Sequence, residues 1–97
     1  MREKTVHKFV HKEIFPNGLK ILVYEMPWAQ SVSIRLLVSA GPRWENKNTT
    51  GTAHYLEHMI FEGSHKYPSR RELDRAVEGL GGDQNAYTEK EYVMYQV

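Results

Sequence analysis

Hydrophobic and polar positions alternate with a period of two along 31–39. Val32, Ile34, Leu36 and Val38 fall on one side, and Ser33, Arg35 and Leu37 on the other. That alternation predicts a strand with one buried face. Upstream, His7 to Phe15 alternates in part, with Val10 and Ile14 on one side and Phe9 and Phe15 on the other. Leu19 to Tyr24 is a β-branched and aromatic run. Pro16-Asn17-Gly18 separates these two segments, so they read as a hairpin, ended by Pro27. Beyond Ala40-Gly41-Pro42 the period changes. After a polar loop over 43–50, Thr49 or Thr50 is placed to cap a helix that reaches about Glu62 and stops at Gly63. Its apolar residues Ala53, Leu56, Met59 and Ile60 predict an inward stripe. Ser69-Arg70-Arg71-Glu72 is a capping box. It opens a second helix whose Leu73, Ala76, Val77 and Leu80 follow the i, i+3, i+4, i+7 rule, ended by Gly81-Gly82. Asn85 to Thr88 reads as extended, and Tyr92 to Val97 as a last strand.

The order β-β-β-α-α-β-β predicts an α+β fold. We expect about five strands in an antiparallel or mixed sheet, with the two helices packed on one face. At 97 residues the chain is one domain at most. The last apolar run meets no turn residue, charged cap or polar tail before Val97, so we expect a fragment, incomplete at its C-terminus.

Composition narrows the chemistry. Net charge is +1 with both signs interspersed, which gives no electrostatic footprint for nucleic acid. Neither a membrane-spanning run nor a signal-peptide core is visible, so a cytoplasmic location is expected. Cysteine is absent, leaving His and carboxylates as the candidate metal ligands.

One pentapeptide uses those groups. His54-Tyr55-Leu56-Glu57-His58 sets two imidazoles four residues apart with a carboxylate between them, and positions i, i+3 and i+4 share a helix face. Both imidazoles can reach one metal ion, with Glu57 beside it. Two neutral imidazoles and a carboxylate near an activated water form the core of a zinc hydrolase. The order is the inverse of the commoner His-Glu-x-x-His and is an inverzincin signature.

Longer stretches carry a wider likeness. Asn17-Gly18-Leu19-Lys20, the run 51–63 around the pentapeptide, Gly81-Gly82-Asp83-Gln84-Asn85-Ala86-Tyr87-Thr88 and Glu91 resemble, in the same order, the N-terminal domain of the pitrilysin family. This inverzincin group includes insulin-degrading enzymes and the processing peptidases, whose smaller members are the more similar. The resemblance implies a zinc metalloendopeptidase acting on extended peptides. His54 and His58 would be zinc ligands and Glu57 the general base toward the activated water. It also implies that substrate adds as a strand to a sheet edge, with Asn85, Ala86 and Tyr87 in the segment supplying that edge. By their type alone, Gly81-Gly82 and Asn85 also fit a helix stop and a turn.

A catalytic zinc site needs three protein ligands and an open position. In the family the third is a glutamate on a later helix, past Val97. Within the chain, Glu62 is about 12 Å along a helix axis from His54, too far for an unstrained shared ion. Asp83, Glu89 and Glu91 lie beyond the second helix with nothing to place them. His65 falls in a loop, and His7 and His11 read as solvated strand residues. The family also encloses substrate between this half and a related second half. The implied partners are therefore a peptide substrate and the rest of a parent protein or a related subunit. Copies of the chain could also exchange strands through an open edge. The alternative function is a non-catalytic zinc-binding or interaction module. Arg43 and Glu45 also match the family, and we read them as a loop ion pair.

Overall fold

A computed structural model describes residues 9–97. The chain divides into two compact units, one running to Val32 and the other spanning Ser33–Val97. The first unit is an antiparallel hairpin of β1 (Val10–Ile14) and β2 (Lys20–Tyr24), with Val10 opposite Tyr24 and Ile14 opposite Lys20. Its turn is where Pro16-Asn17-Gly18 predicts it. Gly18 takes φ 88°, which a glycine adopts without strain, and the Leu19 N–H donates to Asn17 Oδ1 at 3.1 Å. His11 lies exposed in this hairpin, 3.2 Å from Glu25. His7 lies outside the described residues.

The second unit runs β3 (Arg35–Val38), a short 3₁₀ turn (Pro42–Trp44), α1 (Thr52–Ile60), α2 (Arg70–Glu78), β4 (Asn85–Thr88) and β5 (Val93–Gln96). Its three strands form an antiparallel sheet in the order β3-β5-β4. The architecture is α+β in the expected element order, with the five strands shared between two antiparallel sheets. Central β5 holds the core: Val93 and Met94 are buried, with Ala86 from β4 beside them. No described helix is long and apolar enough to cross a membrane.

Local signals account for α2. Ser69 Oγ accepts the Glu72 N–H, while the Ser69 N–H donates to Glu72 Oε2 at 3.1 Å, completing the capping box. Leu73, Ala76 and Val77 are half-buried as their spacing predicts, and Leu80 is exposed.

Four expectations for this unit are corrected. The third strand has no buried face: Ile34, Leu36 and Val38 are all exposed, because nothing in the described unit covers them. Neither Thr49 nor Thr50 caps α1. Gly51 is the N-cap residue, at φ 83°, and its own side chain supplies no acceptor. The acceptor is remote: the Glu45 carboxylate takes the Gly51 N–H at 2.9 Å and the Ala53 N–H at 3.2 Å. Glu45 is therefore not paired with Arg43. The Arg43 guanidinium instead meets Glu91 in an exposed ion pair. Nor is the α1 stripe an inward one. Ala53 is half-buried, but Leu56, Met59 and Ile60 are exposed. Periodicity groups residues on one face, but three short strands and two short helices do not cover every apolar face they create.

A carboxylate at a helix N-terminus both accepts orphan N–H groups and complements the helix dipole. We therefore expect Glu45→Ala to destabilise the second unit by about 1–2 kcal/mol, measured by urea denaturation. Glu45→Gln should recover the part that depends on hydrogen bonding alone.

Candidate metal centre

The nine residues of α1 place His54, Glu57 and His58 on one side, as the i, i+3, i+4 spacing requires. One ligand atom from each lies within 4.8 Å of the other two. The imidazole rings are edge to face, with centroids 4.7 Å apart and planes at 79°. Their Nε2 atoms stand 3.2 Å apart. Two nitrogens on a tetrahedral zinc, each about 2.05 Å from the ion, are about 3.3 Å apart. The pair therefore matches one edge of a zinc tetrahedron, and the donor set fits the metal. His54 and His58 are exposed, whereas Glu57 is half-buried.

α1 packs on β4, and half-buried Glu57 reaches that strand. The Thr88 hydroxyl donates to Glu57 Oε2. Tyr95, opposite Ala86 on β5, has its phenol pushed above the ordinary value by burial first and by the nearby Glu57 charge second. An open cleft of about 420 Å³ lies beside this group, lined by Pro42, Glu45, Thr50, Gly51, His54 and Thr88. The helix cap, one imidazole and the Glu57 partner thus share a single concavity.

The segment 41–45 joins this cleft to the β4–β5 turn. The Arg43 N–H donates to the Lys90 carbonyl at 2.9 Å, and Trp44 Nε1 donates to the Glu91 carbonyl at 3.0 Å. Gly41 is buried against the same turn.

β4 is the terminal strand of its sheet, and no described strand pairs with its outer edge. The ladder fixes which backbone groups face that edge. The Glu89 N–H donates to the Tyr92 carbonyl at 2.8 Å, and bonded pairs alternate along antiparallel strands. Tyr87 and Asn85 therefore turn their backbone groups toward β5, and Thr88 and Ala86 turn theirs outward. The Ala86 N–H is met by Asn85 Oδ1 at 2.9 Å. Tyr87 lies edge to face with Tyr92, and its hydroxyl reaches Met94 Sδ at 3.4 Å. Of the three residues expected at this edge, Ala86 presents backbone, Asn85 presents its side chain to Ala86, and Tyr87 is tied to β5.

Among the described residues, His54, Glu57 and His58 form the metal-competent cluster, and the other candidate carboxylates lie elsewhere. Glu62 is 3.2 Å from Arg70, and Glu91 pairs with Arg43. His65 is exposed in the loop between the helices.

A family model described as insulinase (peptidase family M16) matches residues 20–97. An uncharacterised zinc protease of Rickettsia bellii is 43% identical over 79 residues, covering 81% of this chain and 19% of that protein. A probable mitochondrial-processing peptidase subunit beta of Arabidopsis thaliana is 40% identical over 80 residues, covering 82% and 15%. The crystal structure of the first half of the periplasmic protease PqqL from Escherichia coli superposes with a TM-score of 0.79 at 29% identity, over 93% of this chain and 20% of that one. The chain thus spans about a fifth or less of the length of these relatives.

Proposed function

Because this chain belongs to the insulinase family of peptidases, M16, we propose that it carries two zinc ligands and the general base of a metalloendopeptidase. His54 and His58 would hold the ion, and Glu57 would take a proton from the attacking water. The observation that carries this reading is the 3.2 Å separation of the two Nε2 atoms on the helix face that also bears Glu57. When bound, zinc supplies Lewis acidity, acidifying water and polarising a carbonyl. The chain's own residues do the rest. The imidazoles act as neutral donors, and the Glu57 carboxylate accepts a proton at one oxygen while Thr88 holds the other. The outer edge of β4 offers Ala86 and Thr88 backbone groups to an extended peptide, a mode of capture that is largely blind to side chains.

Two nitrogen donors are one short of a catalytic zinc set. We propose that the third donor, and the surface that closes over the substrate, come from the rest of a parent protein or a related subunit. The exposure of Leu56, Met59 and Ile60 on α1 supports that reading, since such residues gain most from being covered. Without the added donor the chain would be a zinc-binding module, and the cluster of two histidines favours this second reading for the isolated chain.

Removal and return of metal tests both. We expect a chelator to abolish cleavage of an unstructured peptide by the intact protein, and stoichiometric zinc to restore it. Zinc binding by the 97-residue chain without cleavage would support the module reading for that chain. Cleavage that survives complete zinc removal would refute the metallopeptidase.

A further inference from the structure

Thr88 belongs to two parts of the molecule at once. Its side chain donates to Glu57 Oε2, a residue 31 positions away on α1. Its backbone N–H and C=O point away from β5, toward the open edge of β4, by the ladder phase that Glu89 and Tyr92 establish. It is half-buried and lines the cleft together with His54. A strand threonine can satisfy its hydroxyl locally or with water. Here the hydroxyl crosses to the carboxylate.

We propose that Thr88 is a positioning residue: its hydroxyl fixes one oxygen of Glu57 while its backbone sits on the edge that receives peptide. Peptide capture and the orientation of the proton acceptor then meet at a single residue. The proposal rests on the reading of Glu57 as the general base. A glutamate side chain has several rotatable bonds, and a free carboxylate samples many orientations. A donor on Oε2 selects one of them and leaves Oε1 for the incoming proton. Because Thr88 touches neither imidazole in this role, losing its hydroxyl should leave metal affinity alone. Nearby groups do not replace it. Among the described residues, the hydrogen bond that the Glu57 carboxylate accepts comes from Thr88.

The test compares Thr88→Val, which keeps the shape and removes the donor, with Thr88→Ser, which keeps the donor. In the intact protein, Thr88→Val should lower kcat by about tenfold or more, the range expected for a hydrogen bond to a charged group. KM and zinc affinity should stay unchanged, and Thr88→Ser should stay within about twofold of wild type. In metal-free protein the carboxyl 13C resonance of Glu57 should move in Thr88→Val and hold in Thr88→Ser. A wild-type kcat in Thr88→Val overturns the proposal. So does a loss shared by Thr88→Ser, or one accompanied by weaker zinc binding, since either would mark a purely structural role. If Thr88→Val does not fold, wild type decides: a protected Thr88 hydroxyl proton correlated with Glu57 supports the proposal, and its absence overturns it. A normal Thr88→Val beside an inactive Glu57→Gln defeats this inference alone. An active Glu57→Gln defeats it together with the assignment of the general base.

Discussion

Glu57→Gln is expected to reduce peptide hydrolysis by about 10²- to 10⁴-fold, the usual contribution of a positioned acid or base, while zinc still binds with its original stoichiometry. The two effects should separate because the proposed function gives the imidazoles and the carboxylate different jobs on one helix face. The Nε2 pair at 3.2 Å is untouched by the change. The glutamine has the same shape, and its side-chain carbonyl can still accept from Thr88, so the carboxamide should stay in place. What it lacks is a basic oxygen. Peptide assays and calorimetric zinc titration on the same preparation give the answer. Retained hydrolysis would remove Glu57 from the chemistry, and lost zinc would make it a ligand.

Gly41→Ala should destabilise the second unit by about 3 kcal/mol or more. Gly41 sits at φ 124° and ψ −177°, a region essentially reserved for glycine. A Cβ there would stand 2.6 Å from the Glu89 carbonyl oxygen and 3.2 Å from that of Lys90. Both are backbone atoms of the β4–β5 turn and cannot rotate aside. Relief would mean pulling 41–45 off the turn, which loosens the Arg43 and Trp44 bonds and, through Glu45, the start of α1. Gly51→Ala is the control. Gly51 also has positive φ, at 83°, but opens onto empty space, so its penalty should be the conformational one alone, about 1–2 kcal/mol. Thermal or urea unfolding of the two variants measures the difference. Equal penalties would show that the close approach at Gly41 carries no energy.

These cases mark what could be read from residue order. The capping box at Ser69, the Asn17-Gly18 turn, the extended Asn85–Thr88 segment and the shared face of His54, Glu57 and His58 are all short-range. Each follows from bonds or spacings within a few positions, where propensity and periodicity act. The partner of Glu57 is 31 positions away, and that of Arg43 is 48. No local rule links such pairs. Glu45 escapes for a related reason. It serves the helix from outside the four-residue window of a capping box, because the chain doubles back between 45 and 51 and a carboxylate replaces the threonine hydroxyls. The stripe of Leu56, Met59 and Ile60 shows a different limit. Spacing aligns them, but whether anything lies against them depends on surfaces that no helical period describes.

The amide of Ala86 is already engaged by its neighbour's side chain. A peptide arriving at this rim therefore trades one partner for another at that point, with almost no net gain. A glancing encounter of one residue is weakly held and lets go. Only a ligand straight enough to displace Asn85 and reach Thr88 in the same stride would collect a surplus. Under the proposed reading the rim would screen guests by how long they stay linear, before any side chain is inspected, and folded neighbours with nothing but a stray carbonyl to offer would be turned away.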